Sequence, residues 1–140
     1  MKEKVFLTST DTTIGFLSQS KAALDRAKKR APNKHYIRVY PNLASMPKRV
    51  PKKFKSRIRR AQKSTFILSK TFSFRISRDK RHNLLLNRLG WAYSTSANQS
   101  NKPYDYNYAY NQADIIVYPL ILNKASNIFK LSKSKIKKIR

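Results

Sequence analysis

The chain of 140 residues contains no cysteine, which excludes a disulfide scaffold, a thiolate metal site and a cysteine nucleophile. Glycine is nearly as scarce. Gly15 and Gly90 are the only two, so neither a Walker A loop nor a Gly-rich dinucleotide turn can be written. Six acids and two histidines offer little for a protein-built metal cage, and no metal site is expected. His-Glu-x-x-His is also missing. Long hydrophobic runs are lacking too: the stretch from Ile115 to Leu122 contains Pro119 and falls far short of the ~20 residues a membrane span needs. The N-terminal segment, MKEKVFLTSTDTT, turns polar too early for a signal peptide. These features predict a soluble, cytoplasmic protein without a membrane partner.

What the sequence has in excess is positive charge. Lys and Arg number 32 against six acids, a formal charge of +26. Such an imbalance points to polyanionic partners, meaning nucleic acid, nucleotides or a membrane surface, and says nothing about fold. Hydrophobic residues at 40% are enough for an ordinary core, and the length suits one domain over residues 1–140.

The pattern predicts strands at Val5–Thr8, His35–Tyr40, Thr65–Leu68, Thr71–Ser77, Trp91–Ser94, Ile115–Tyr118, Asn127–Leu131 and Ile136–Ile139. Helical spacing runs from Phe16 to Lys29, and a second helix is expected from an Asp79 N-cap to Gly90. Pro51 is placed to open a short helix in the basic run, and Leu43–Met46 suits a helical turn. In Thr71–Ser77, Phe72, Phe74 and Ile76 share one face and Ser73, Arg75 and Ser77 the other. The expected fold class is α/β, an open twisted mixed sheet with flanking helices.

Four segments carry candidate chemistry. Thr10-Asp11-Thr12-Thr13-Ile14-Gly15, read as the entrance to a helix, is either an anion-binding turn or an N-cap with its neighbours. Lys28-Lys29-Arg30 sits at a helix C-terminus, where cations are favoured without any ligand. Tyr93 to Pro103 gathers hydroxyls and Asn98 at a strand end, suited to phosphate or carboxylate but also to simple connection. Lys48 to Lys63 holds nine Lys and Arg with no acid, either a solvated face or an RNA-facing surface. The alternating Tyr104, Tyr106, Tyr108 and Tyr110 fit strand packing or a surface segment better than base stacking.

Taken in order, these segments resemble the threonylcarbamoyl-AMP synthase family, the YrdC/Sua5-like proteins. Ser9 to Leu17 resembles that family's Pro-Thr-Asp-Thr-x-x-Gly-Leu segment, with Ser9 in place of the proline. Lys28 and Arg30 match its Lys-x-Arg pair, and Lys34 its downstream lysine. Ser94 to Pro103 resembles Ser-Thr-Ser-Ala-Asn-x-Ser-x-x-Pro. Thr65–Leu68, Phe74-Arg75-Ile76, Ala113–Val117 and Ser126-Asn127-Ile128 through Ile139-Arg140 complete the set.

The resemblance implies a YrdC-like domain with a basic central cleft. The implied enzyme is a nucleotidyltransferase that makes threonylcarbamoyl-AMP and pyrophosphate from L-threonine, bicarbonate or CO2, and ATP, with Mg2+ carried by ATP. It implies nucleotide contacts from Lys28, Arg30, Lys34, Thr65, Ser96, Asn98 and Arg140, and threonine contacts from Thr12, Arg75, Ser94 and Ser126. Further partners would be tRNA or RNA on the basic surface and other tRNA threonylcarbamoylation proteins. The rival reading from composition is a non-enzymatic basic RNA-binding protein, ribosome- or tRNA-associated.

Overall fold

The computed structural model describes residues 2–121 and 125–140; Leu122, at the end of the apolar run, lies outside them. Among the described residues nine strands form one mixed sheet: β1 (Phe6–Ser9), β2 (Ile14–Ser18), β3 (Ile37–Tyr40), β4 (Ser64–Ser69), β5 (Phe72–Ile76), β6 (Ala92–Ser96), β7 (Ile115–Val117), β8 (Asn127–Leu131) and β9 (Ile136–Lys138). Their order across the sheet is β7-β1-β2-β6-β3-β5-β4-β8-β9. Pairs β1–β7, β3–β5 and β4–β8 are parallel, and the remaining neighbours are antiparallel. The α/β class and the mixed sheet are as expected.

Among the described residues four α-helices flank the sheet: α1 (Lys21–Lys28), α2 (Lys55–Arg60), α3 (Lys80–Leu89) and α4 (Tyr106–Gln112). Side-chain alternation puts them on opposite faces. Leu7 and Phe16 pack with Ala23, Leu24 and Ala27 of α1 and Ala109 of α4. Their strand neighbours Phe6 and Leu17 pack instead with Val39 and with Leu86 of α3. Phe72, Phe74 and Ile76 share a third cluster with Ile58 of α2, as the alternation of β5 predicts. Asp79 caps α3 through the Arg81 and His82 amides, and Gly90 closes it at φ 86°, a left-handed turn that favours glycine.

Two segments differ from expectation. Phe16–Ser18 is not the start of a helix but part of β2, which is buried along its whole length. With both faces covered, the strand loses the polar alternation that would identify it. The Thr10–Thr13 segment is therefore a turn between antiparallel strands, not a helix entrance. Likewise Tyr106, Tyr108 and Tyr110 belong to helix α4. There the Asp105 carboxylate accepts from the Asn107 amide, and Tyr106 and Tyr110 meet as i,i+4 neighbours.

Candidate functional site

The β1–β2 turn is folded by its own hydroxyls. Thr10 Oγ1 donates to the Thr13 carbonyl at 2.7 Å and accepts from the Thr12 amide at 3.1 Å. This fixes Asp11 and Thr12 over the middle of the sheet, where Arg75 rises from β5. Arg75 Nη1 donates to Thr12 Oγ1 at 2.9 Å and to Asp11 Oδ1 at 3.2 Å. Its Nε donates to Thr65 Oγ1 at 3.3 Å, directly opposite on β4. Thr65 also shares a 2.8 Å hydrogen bond with the Ser126 hydroxyl. Burial pushes the Arg75 guanidinium below its ordinary range, and Asp11 opposes that shift.

Beside this pair lies a cavity of about 300 Å³, at the small end for ligand pockets. Seven of the eleven expected site residues line it: Thr12, Arg30, Arg75, Ser94, Ser96, Ser126 and Arg140. They come from segments spread over the whole chain. Arg30 lies over the Tyr36 ring at 4.8 Å, and Tyr36 donates to Asp25 at 2.6 Å. Arg140 Nε donates to the Ser126 carbonyl at 3.0 Å. Strand β2 must approach closely for this assembly. A Cβ on Gly15 would stand 2.9 Å from the Thr95 carbonyl, so only glycine lets β6 bring Ser94 and Ser96 to the cavity.

The other four expected residues stand differently. Thr65 sits beneath the cavity and holds Arg75 and Ser126. Lys34 is exposed, next to the cavity-lining His35. Asn98 Nδ2 donates to the Gln99 and Lys102 carbonyls at 3.0 and 2.8 Å, and its Oδ1 accepts from Ser96. Lys28 closes the arrangement: its Nζ donates to the Ser96 carbonyl at 2.9 Å, the Asn98 carbonyl at 2.9 Å and Asn98 Oδ1 at 3.2 Å. Burial, then the nearby charge of Arg30, bring the Lys28 ammonium down to about 8. The Lys28–Arg30 and Ser96–Asn98 segments, far apart in sequence, thus meet beside one cavity.

The expectations left Asp11 and Tyr36 out of the site. Asp11 stands inside the quoted turn, and its ion-pair role needed only the observation that a buried arginine demands a carboxylate. Nothing in the sequence marks Tyr36, whose place beneath Arg30 depends on how β3 begins.

No family model matches the chain. A relative described as uncharacterized protein MG259 of Mycoplasma genitalium is 35% identical over 100 residues, covering 70% of this chain and 22% of that protein. The chain therefore spans well under two thirds of that relative. Among solved structures, P. abyssi Sua5 is similar over 99% of this chain and 52% of its own, at 17% identity and TM-score 0.81 for a doubly substituted form. Its form complexed with L-threonine gives TM-score 0.76 at 17% identity, over 99% of this chain and 50% of that one. E. coli YciO matches at TM-score 0.77 and 16% identity, over 98% of this chain and 82% of its own. The chain has the YrdC/Sua5-like fold, the one its sequence motifs imply.

Proposed function

We propose that the protein is an L-threonylcarbamoyladenylate synthase. The observation that carries this reading is the meeting of Arg30, Arg75 and Arg140 with Thr12, Ser94, Ser96 and Ser126 around one cavity of a Sua5-like fold. The solved Sua5 complex with L-threonine supports an amino-acid substrate for such a cavity.

In this reading threonine's amine loses a proton and captures CO2 as a carbamate. A carbamate oxygen then attacks the α-phosphorus of ATP, the bond from phosphorus to the bridging oxygen breaks, and pyrophosphate leaves. Mg2+ enters bound to ATP. The chain needs no covalent nucleophile, only alignment and cations for the charge that builds on phosphate oxygens. Arg75, with Thr12, Ser94 and Ser126 around it, takes the threonine carboxylate through Nη2, since its Nη1 and Nε are held by Thr12, Asp11 and Thr65. Arg30, Lys34, Thr65, Ser96, Asn98 and Arg140 form the nucleotide side. Lys28 serves it by pinning the Ser96–Asn98 turn, since its ammonium already has three acceptors. Incubation with threonine, bicarbonate and Mg-ATP should yield threonylcarbamoyl-AMP by mass spectrometry; its absence from folded protein would defeat the reading.

A second reading, RNA binding without catalysis, is favoured by the basic run. From Lys48 to Lys63 every cation is exposed except the half-buried Lys55. Beside it Arg49, Lys52, Lys53 and Lys133 border a hollow of about 600 Å³. The two readings are compatible: the run suits tRNA or other RNA, held by phosphate neutralisation, while the cavity suits small molecules. Within the synthase reading, the other threonylcarbamoylation proteins are the partners that would take the adenylate onward.

A further inference from the structure

From Pro103 through Asn123 the chain carries no Lys or Arg, in a protein of charge +26. The described part of this segment builds one end of the molecule. Tyr110 is 48% exposed, Tyr118 63% and Ile121 54%. Tyr106 joins them, its ring 5.8 Å from that of Tyr110 and its hydroxyl 3.2 Å from that of Tyr118. Ser9 pins the loop that carries Tyr118 and Ile121, donating to the Pro119 carbonyl at 3.1 Å and accepting from the Ile121 amide at 2.5 Å. The two acids of the segment are engaged: Asp105 caps α4, and Asp114 accepts from the Val5 amide at 2.8 Å.

The same segment supplies an edge of the sheet. Among the described residues β7 has a neighbour on one side only, β1. The Ile115 amide donates to the Val5 carbonyl, so by strand alternation the N–H and C=O of Ile116 face away from β1. Edge strands are ordinarily guarded by lysines. The opposite edge follows that rule, with Lys137 and Lys138 on β9 and Lys133 and Lys135 in the hairpin before it. The β7 strand, Ile115-Ile116-Val117, has no such guard.

The geometry points to this edge as the contact between two copies of the chain, related by a two-fold axis that sets Ile116 opposite Ile116. Antiparallel pairing there exchanges two backbone hydrogen bonds between the paired isoleucines and brings the tyrosine clusters of both copies alongside. Charge selects the occupant. Nucleic acid and acidic proteins are drawn to cations, which the 103–123 segment does not supply; cations stand at its margins, Arg81 beside Tyr118 and Ile121 and Lys29 over the Tyr108 ring. A second copy, itself at +26, meets less repulsion over this segment than over the basic 48–63 run. Tyrosine enrichment with lysine depletion is also the composition of protein interfaces.

Sedimentation velocity of the nuclease-treated chain over a concentration series tests this. Expected is a monomer–dimer equilibrium that shifts toward dimer as salt screens the like charges. The Tyr110→Lys/Tyr118→Lys variant changes exposed side chains and keeps its circular dichroism. It should weaken dimerisation at least ~10-fold, because like charges then face one another. Ile116→Pro removes the outward N–H and should do the same. A wild-type chain that stays monomeric overturns the proposal and leaves the face to a different protein. So does a dimer indifferent to both variants, or one lost on nuclease treatment, which would be bridged by RNA.

Discussion

The cations around the cavity and those of the 48–63 run are the same residue types in opposite circumstances. Arg75 is held by Asp11, Thr12 and Thr65; Lys28 by two carbonyls and an amide; Arg140 by a carbonyl. In the run, Lys52, Arg57 and Arg59 stand exposed, and Arg60 donates to its own helix at the Ser56 carbonyl. A fixed cation offers one geometry to one ligand and loses little ordering entropy when it binds. A solvated cation offers charge without geometry, which suits a polyanion read by its phosphates. Net charge alone cannot separate the two; the partners of each cation can.

The largest break in this contrast comes from Arg75→Ala. Asp11 would stay buried without its counter-charge, a loss of ~3–5 kcal/mol, so thermal unfolding should shift down sharply and adenylate formation should vanish. Arg30→Ala should leave unfolding nearly unchanged, because this half-buried side chain rests on Tyr36, while the rate falls ~10²–10³-fold, as expected for one lost charge-stabilising group. An Arg30→Ala protein with a normal rate would remove Arg30 from the site.

Reversing Lys52, Lys55 and Arg59 to Glu probes the other side. RNA affinity should drop and its salt dependence flatten, with threonylcarbamoyl-AMP synthesis close to normal. Retained RNA affinity would reduce the run to a solvated face; loss of synthesis from folded protein would place it in the cleft.

The smallest effect is a pH dependence. Lys28 titrates at about 8 in the folded chain against 10.5 for an ordinary lysine. Between those values the unfolded chain binds more protons, so this group makes the native state more stable as pH rises. Relative to Lys28→Gln, the wild-type melting temperature should climb across that window. A difference that is flat with pH would mean that Lys28 is not titrating as a buried amine.

How legible these regions were in the sequence follows from their patterning. Strand β5 alternates cleanly, and Arg75 faces the cavity as its phase requires. Helix α3 carries its own punctuation in Asp79 and Gly90. Strand β2 does not, because Ile14 to Ser18 is covered on both faces and only its contact with Thr95 explains Gly15. Helix α4 misled through its tyrosines, whose i,i+2 spacing mimics a strand until the Asp105 cap is taken into account. Motif order named seven of the residues that line the cavity but not Tyr36, and the engagement of Lys28 by the Ser96–Asn98 turn depends on three-dimensional contacts between distant segments.

The sheet's connectivity also sets an order of events as the chain is made. Strands β1 to β6 are complete once Ser96 has emerged, and they occupy adjacent places in the sheet. Both ends of the sheet are then added from later sequence: β7 beside β1, anchored by a Val5–Asp114 bond across 109 residues, and β8 beside β4, with a Thr65–Ser126 bond across 61. Contacts that span so much chain form slowly, because loop closure precedes any gain from pairing. Until they form, the β4 edge stays open and the cavity lacks the wall that Ser126 and Arg140 provide. The interval between synthesis of β6 and docking of β8 is therefore the period in which a nascent chain is most exposed to strand pairing with a neighbour.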